Sequence, residues 1–195
     1  SLGALLMLFG RQYDKQIQKR EGYVIVTLGW MMMTISGMLP FIFTNSMVDI
    51  PSTFFETMSG YTATGATILQ DIESLPLGIL FWRSMTHWIG GMGIIVLAVA
   101  ILPLLGIGGI QLFSAEAPGP NNDKLHPRIT DTAKRLWLIY VSFTFLEAIL
   151  LSFAGMSIFD AVNHAMSTMA SGGFSTKNNS LAYWNHLPLV HYIII

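Results

Sequence analysis

Two long runs of residues without a formal charge constrain the fold of this chain more than any other feature. Glu21 and Asp49 are separated by 27 uncharged residues, and Arg83 and Glu116 by 32. A helix rises about 1.5 Å per residue, so about 20 apolar residues cross the roughly 30 Å hydrocarbon core of a bilayer. Only 11% of the 195 residues are charged, against roughly a quarter in soluble domains. We therefore predict an all-α integral membrane protein.

The charge-free runs predict membrane spans at residues 23–44 and 84–104. A third span is predicted over 136–156, and a fourth begins at 187–195. Glu147 is the single acid inside the third span. Because an ionised acid at a helix centre costs roughly 2.5–3.5 kcal/mol on insertion scales, Glu147 should face protein or water. We favour a structural partner or a protonated state over a role in permeation.

Eight of the ten Lys and Arg residues lie in two polar segments, which predicts the orientation of the chain. Positive residues of short loops are retained on the cytoplasmic side. Residues 1–9 are predicted to end an earlier transmembrane helix, and residues 10–22 to form a cytoplasmic loop. Residues 105–132 are predicted to form a cytoplasmic linker. The segments 46–82 and 158–186 then face outward.

Each outward segment contains an apolar helix that is too short to cross the membrane. The first is predicted over residues 52–61, and the second over residues 160–169, with Asp160 as its cap. Each helix leads into small residues, at 62–67 and at 170–175. Non-helical backbone at membrane depth is tolerated only where protein or a water-filled cavity satisfies it. We therefore expect each helix to dip into the membrane and return as extended chain.

The order of these elements predicts an internal repeat. A gap-free alignment of the two halves places Ala-Thr-Gly at 63–65 on Ala-Ser-Gly at 170–172. Span, short helix, glycine loop and returning span occur once completely, over residues 23–104. They occur again, truncated, over residues 133–195. Repeats of this kind build a core from units that cannot stand alone.

Bare carbonyl oxygens in a membrane cavity are good ligands for a dehydrated monovalent cation. The short helix adds its partly negative C-terminal end, which points at the same place. One alternative is an intramembrane serine protease with Ser171 as nucleophile, which needs a histidine within reach. The duplicate segment carries Thr64 at the equivalent place, which a single catalytic serine does not predict. A second alternative, a scaffold without transport, leaves both glycine loops unexplained.

Other polar residues receive weaker predictions. Glu56 and Asp160 are expected near the outer mouth, where each could cap a helix or attract cations. His87 and Trp88 are expected to be core or interface residues. The net charge of −1 provides no basic field for nucleic acid.

Several separated motifs resemble one family. They lie at residues 54–67, at 87–94 (His-Trp-Ile-Gly-Gly-Met-Gly-Ile), at 115–120 and at 170–176. Together they resemble the TrkH-type subunit of the Trk/Ktr/HKT potassium transporter superfamily. The resemblance implies four repeats of span, re-entrant pore helix and span around one central ion pore. Two of the four would be present here, after two extra helices.

The resemblance also implies activity and partners. It implies potassium uptake, without enzymatic chemistry, by a multi-pass protein of the bacterial inner membrane. Potassium would be the bound ion, with no organic cofactor and no nucleic acid. The implied partners are membrane lipid, a second copy in a homodimer, and a cytoplasmic nucleotide-binding regulatory ring of the TrkA type.

Finally, the resemblance places the potassium ligands on backbone carbonyls of the two loops. One glycine per repeat replaces the Gly-Tyr-Gly of dedicated potassium channels, and Gly65 and Gly172 match that position. The implied ligands are Thr62, Ala63, Thr64 and Gly65 in the first repeat, and Met169, Ala170, Ser171 and Gly172 in the second.

Overall fold

The computed structural model describes the backbone of residues 19–105 and 125–195, and the side chains of residues 21–93 and 133–195. All regular structure within these residues is helical, so the predicted all-α class is confirmed for them. The helix end predicted at residues 1–9 lies outside the described residues. Most of the two predicted cytoplasmic segments, 10–22 and 105–132, also lies outside them.

The first long helix, α1, is Lys19–Gly37, and a short helix α2, Leu39–Phe43, continues it after a break at Met38. Pro40 stands in the first turn of α2, where a missing N–H leaves no hydrogen bond unmade. Together Glu21–Phe43 is long and apolar enough to cross a membrane. This stretch overlaps the predicted span at 23–44.

A helix of 12 residues, α3, follows at Ile50–Tyr61. Asp49 caps it, because its carboxylate accepts a hydrogen bond from the Ser52 N–H at 3.0 Å. At about 1.5 Å per residue α3 is roughly 18 Å long, which is too short to span a bilayer. Beyond Tyr61 the chain turns and runs without regular structure through residues 62–67.

The next helix, α4, is Leu77–Leu105 and begins seven residues before the predicted span at 84–104. α4 packs against α3. The same helix also packs against the second short helix of the chain, described below. α4, a part of the first predicted repeat, thus contacts the short helices of both repeats.

A second helix of 29 residues, α5, is Leu125–Phe153, so the predicted linker at 105–132 ends in helix. Its part Ala133–Phe153 is the other stretch that is apolar and long enough to cross a membrane among the described residues. The predicted span reached residue 156. The helix ends earlier because Gly155 takes φ +106°, a left-handed conformation that terminates helices.

The second short helix, α6, is Ile158–Met169 and again has 12 residues. Its cap is Ser157, whose hydroxyl accepts a hydrogen bond from the Asp160 N–H at 3.1 Å. The predicted cap at Asp160 is therefore wrong. Asp160 lies in the first turn instead, where a carboxylate interacts favourably with the helix dipole.

The chain ends in a 3₁₀ helix, Ser180–Trp184, and a helix α7, Pro188–Ile194. An apolar cluster that includes Leu151, Ala165 and Trp184 joins α5, α6 and these last elements. The outer faces of α1 and α5, in contrast, expose large apolar side chains. Continuous apolar surfaces of this kind mark contact with lipid or another protein.

Candidate ion site at the paired loops

The two loops that follow the short helices meet in the structure. We call residues 62–67 the first loop and residues 170–175 the second loop. A Cβ placed on Gly65 would overlap the carbonyl oxygen of Gly172 and lie 3.7 Å from the Gly173 Cα. The backbones of the two loops are therefore in direct contact, and a side chain at Gly65 has no space.

The backbone turns of the two loops follow one pattern. The Thr64 N–H donates to the Ser59 carbonyl at 3.0 Å, and the Gly172 N–H donates to the Ser167 carbonyl at 2.9 Å. Both bonds reach back from the loop into the last turns of helices of equal length. Thr64 therefore corresponds to Gly172, and Ser59 corresponds to Ser167.

The φ angles follow the same register. Ala63 takes φ 53° and Ser171 takes φ 56°. Two positions later in each loop, Gly65 takes φ 73° and Gly173 takes φ 88°. The predicted gap-free alignment of 63–65 with 170–172 is therefore wrong by one position, and Gly65 corresponds to Gly173 rather than to Gly172.

The correction changes which backbone groups of the second loop match the first. The predicted ligands in the second repeat were residues 169–172, whereas the structure pairs residues 170–173 with 62–65. Met169 is the last residue of α6 and corresponds to Tyr61 at the end of α3. The sequence does not reveal this register, because either of two adjacent glycines tolerates a left-handed conformation.

A buried ion pair holds the first loop. Arg83 Nη2 lies 2.8 Å from Glu56 Oε1, and both residues are 1% exposed. The Glu56 carboxylate also accepts hydrogen bonds from Thr67 Oγ1 at 2.9 Å and from the Ile68 N–H at 3.0 Å. The expectation that Glu56 caps a helix is therefore wrong, and its charge, which was expected to attract cations, is paired with Arg83. Glu56 ties the end of the first loop to α3.

Arg83 contacts both loops. Its Nη2 donates to Thr67 Oγ1 and its Nη1 to the Ser175 carbonyl, each at 3.3 Å. The guanidinium carbon lies 4.2 Å from the centre of the Phe174 ring. The role of Arg83 was not predicted from the sequence. One feature of the sequence could have identified Arg83: it lies at the edge of an apolar run, where a cation needs a partner.

The second loop is held by neutral groups at the equivalent positions. In the register of the structure, His164 corresponds to Glu56 and Ser175 corresponds to Thr67. His164 Nε2 lies 3.0 Å from Ser175 Oγ, and His164 Nδ1 lies 2.8 Å from the Asp160 carbonyl. Burial lowers the pKa of His164, so its ring is neutral at neutral pH.

His87 and Trp88 lie in the core and at a helix interface, as predicted. His87 is 0% exposed, and its Nδ1 lies 3.0 Å from Ser167 Oγ. Trp88 donates from Nε1 to Thr144 Oγ1 at 3.0 Å, which joins α4 to α5. Glu147 is 8% exposed, so it faces protein, as predicted.

The histidines near Ser171 do not hydrogen-bond to its hydroxyl. His87 bonds to Ser167 and His164 bonds to Ser175, and none of the hydrogen bonds between described side chains joins Ser171 to a histidine. The arrangement that a serine protease requires is therefore missing from this part of the chain.

Side-chain ligands for a metal ion are also not grouped in the described residues. No cluster of three or more His, Asp or Glu there could hold one.

The chain is similar to known proteins over its whole length. The family model TrkH, described as a cation transport protein, matches residues 1–195. The Trk system potassium uptake protein TrkH of Salmonella typhimurium is 52% identical, over 100% of this chain and 40% of its own length. TrkG of Escherichia coli K12 is 42% identical, over 88% of this chain and 36% of its own length.

A solved structure of a relative shares the fold. The crystal structure of the potassium transporter TrkH from Vibrio parahaemolyticus superposes with a TM-score of 0.82 at 42% identity. The match covers 99% of this chain and 38% of that chain. The chain thus spans about two fifths of the length of the relatives it matches.

Proposed function

Because this chain belongs to the TrkH family of cation transport proteins, we propose that it forms part of a pathway for potassium uptake across the bacterial inner membrane. The observation that carries the proposal is the direct backbone contact between two glycine loops, each at the C-terminal end of a short helix. A pathway of this kind needs no covalent chemistry. The protein would act as a transporter rather than as an enzyme.

In this proposal the ion is held by backbone carbonyl oxygens of residues 62–65 and 170–173. These oxygens replace the water shell of K⁺ as it enters the pathway. The C-terminal ends of α3 and α6 each contribute roughly half a negative elementary charge at the same place. A cation is therefore favoured without any acidic side chain in contact with it.

Two loops make only part of a ring around an ion. We propose that two further loops complete the ring. They would lie in a part of the protein that corresponds to the remaining length of the relatives. We also retain as proposals the homodimer and the cytoplasmic nucleotide-binding ring of the TrkA type. Family membership supports them, since the relatives are named as parts of a Trk system.

The test is uptake of potassium or rubidium by the full-length protein in cells that lack their own uptake systems. We expect Gly65→Ser and Gly173→Ser to lower the preference for K⁺ over Na⁺ about tenfold. Each puts a side chain on a left-handed residue, which costs roughly 1–2 kcal/mol. Gly65→Ser in addition crowds the Gly172 carbonyl.

Gly78→Ser is the matched control. Gly78 lies in α4, and nothing lies within 4 Å of a Cβ placed on it, so uptake and selectivity should stay unchanged. If the variants at Gly65 and Gly173 kept normal selectivity at normal protein levels, the assignment of the loops as the ion site would be wrong.

A further inference from the structure

His87 is a fully buried side chain that the proposed pathway does not use directly. It lies on α4, which belongs to the first predicted repeat, yet its contacts are with the second. Its Nδ1 lies 3.0 Å from Ser167 Oγ of α6. Its ring stacks on Phe174 of the second loop, with ring centres 3.9 Å apart and planes 14° from parallel.

The ring also fills the space beside the second loop. A Cβ placed on Gly172 would overlap the His87 ring, including its Nδ1 and Cε1 atoms. The carbonyl oxygen of the same Gly172 lies against Gly65 of the first loop. His87, Gly172 and Gly65 therefore form a continuous line of contact from α4, through the second loop, to the first.

The first short helix has no such contact among the described residues. Ser59 is the counterpart of Ser167, and its buried hydroxyl finds no hydrogen-bond partner there. His87 thus supports the second loop specifically. It joins that loop to a helix of the other repeat.

We propose that His87 is a positioning residue that sets where the Gly172 backbone lies against the first loop, and so contributes to the preference for K⁺ over Na⁺. The proposal rests on the proposed ion pathway. His87 touches no ion; it acts through its hydrogen bond to Ser167, its stack on Phe174 and its contact with Gly172. Carbonyl positions matter because selectivity depends on how the oxygens surround the ion.

Three variants separate these contacts in the full-length protein. Ser167→Ala removes the partner of Nδ1, His87→Phe keeps a ring on Phe174 but loses the nitrogen, and His87→Ala loses both contacts. The loss of one hydrogen bond has a modest net effect, because water bonds partly replace it. We therefore expect the K⁺ to Na⁺ uptake ratio to fall about threefold in the first two variants, and about tenfold in His87→Ala.

The double variant His87→Phe with Ser167→Ala tests the pair itself. Because both changes remove the same bond, the ratio should fall no further than in either single variant. A drop equal to the product of the two single effects would show that the residues act separately, which would overturn the proposal.

Ser84→Ala is the matched control. Ser84 is also a buried serine on α4, but its hydroxyl donates to the Leu80 carbonyl of its own helix at 3.3 Å. Its removal should leave the uptake ratio unchanged. Uptake is divided by the amount of protein in the membrane, so that a loss of folded protein is not counted as a loss of selectivity.

A purely structural role for His87 would lower protein amount and leave the ratio at the wild-type value, and that result would overturn the inference. If His87→Ala does not fold, Ser167→Ala and His87→Phe still decide it. Absence of potassium uptake by the unaltered protein would overturn the proposed function and this inference with it. Unchanged ratios in these variants, beside a lowered ratio in Gly65→Ser, would overturn the inference alone.

Discussion

The two loops have the same backbone course but are held by different chemistry. The first loop is tied down by a buried ion pair between Glu56 and Arg83, to which Thr67 adds its hydroxyl. The second is tied at the equivalent positions by His164 and Ser175, which are joined by a neutral hydrogen bond. The positions of the tethers therefore match between the repeats, while their charges do not.

The shape of each loop and its sensitivity to substitution therefore have separate causes. Left-handed residues and hydrogen bonds to the preceding helix give both loops one shape. The chemistry of the contact that holds each loop then determines how much stability is lost when that contact is removed. A buried ion pair is very costly to break, because one charge remains without its partner, whereas a neutral bond leaves a smaller penalty.

The largest effect is expected from breaking the ion pair. Glu56→Gln leaves Arg83 buried without a counter-charge, which should cost about 3–5 kcal/mol of stability. The measurement is thermal or denaturant unfolding of the full-length protein in detergent. The double variant Glu56→Gln with Arg83→Met removes both charges and should recover much of the loss; no recovery would contradict a charge-based tether.

A smaller effect is expected from the matched hydroxyls. Thr67→Ala removes hydrogen bonds to the Glu56 carboxylate and from the Arg83 guanidinium, and a bond to a charged group is worth about 1.5–3 kcal/mol. Ser175→Ala removes neutral bonds to His164 and from the Lys177 N–H, each worth about 1 kcal/mol. The same unfolding measurement should therefore rank Thr67→Ala as more damaging. An equal loss in both variants would remove the distinction drawn between the two loops.

The smallest effect is expected from pH, through His164, which holds the second loop. Burial lowers the pKa of His164 in the folded state, so the unfolded chain takes up the proton first as pH falls below about 6.5. The His164 contribution is therefore fully present above about pH 6.5. It declines toward the lower folded pKa, by at most about 1.4 kcal/mol per pH unit.

His164→Gln should flatten this acid dependence. The measurement compares the unfolding midpoint of both proteins at about pH 7.5 and about pH 5.5. An identical decline in the two proteins would show that His164 does not carry the effect.

Much of the architecture could be predicted from the order of residues. Charge-free runs place the helices, because desolvating a charge in hydrocarbon is costly wherever the chain folds. The short helices and small-residue loops are likewise local patterns. The family itself was identified from motifs, and the comparisons confirm it.

The register of the second loop could not be predicted in this way. Gly172 and Gly173 are chemically identical, and a gap-free match to the first repeat favours the wrong one. The hydrogen bond from the Gly172 N–H to the Ser167 carbonyl, which depends on where α6 ends, decides between them.

The order of residues alone was enough to locate the apolar helices and the loops of small residues, since both follow from local polarity and local conformation. The folded arrangement was needed to show that Glu56 meets Arg83, that His87 packs against Gly172, and that the two loops touch. These contacts join residues far apart in the chain. They depend on how α4 packs between α3 and α6, and no local pattern of residues encodes that packing.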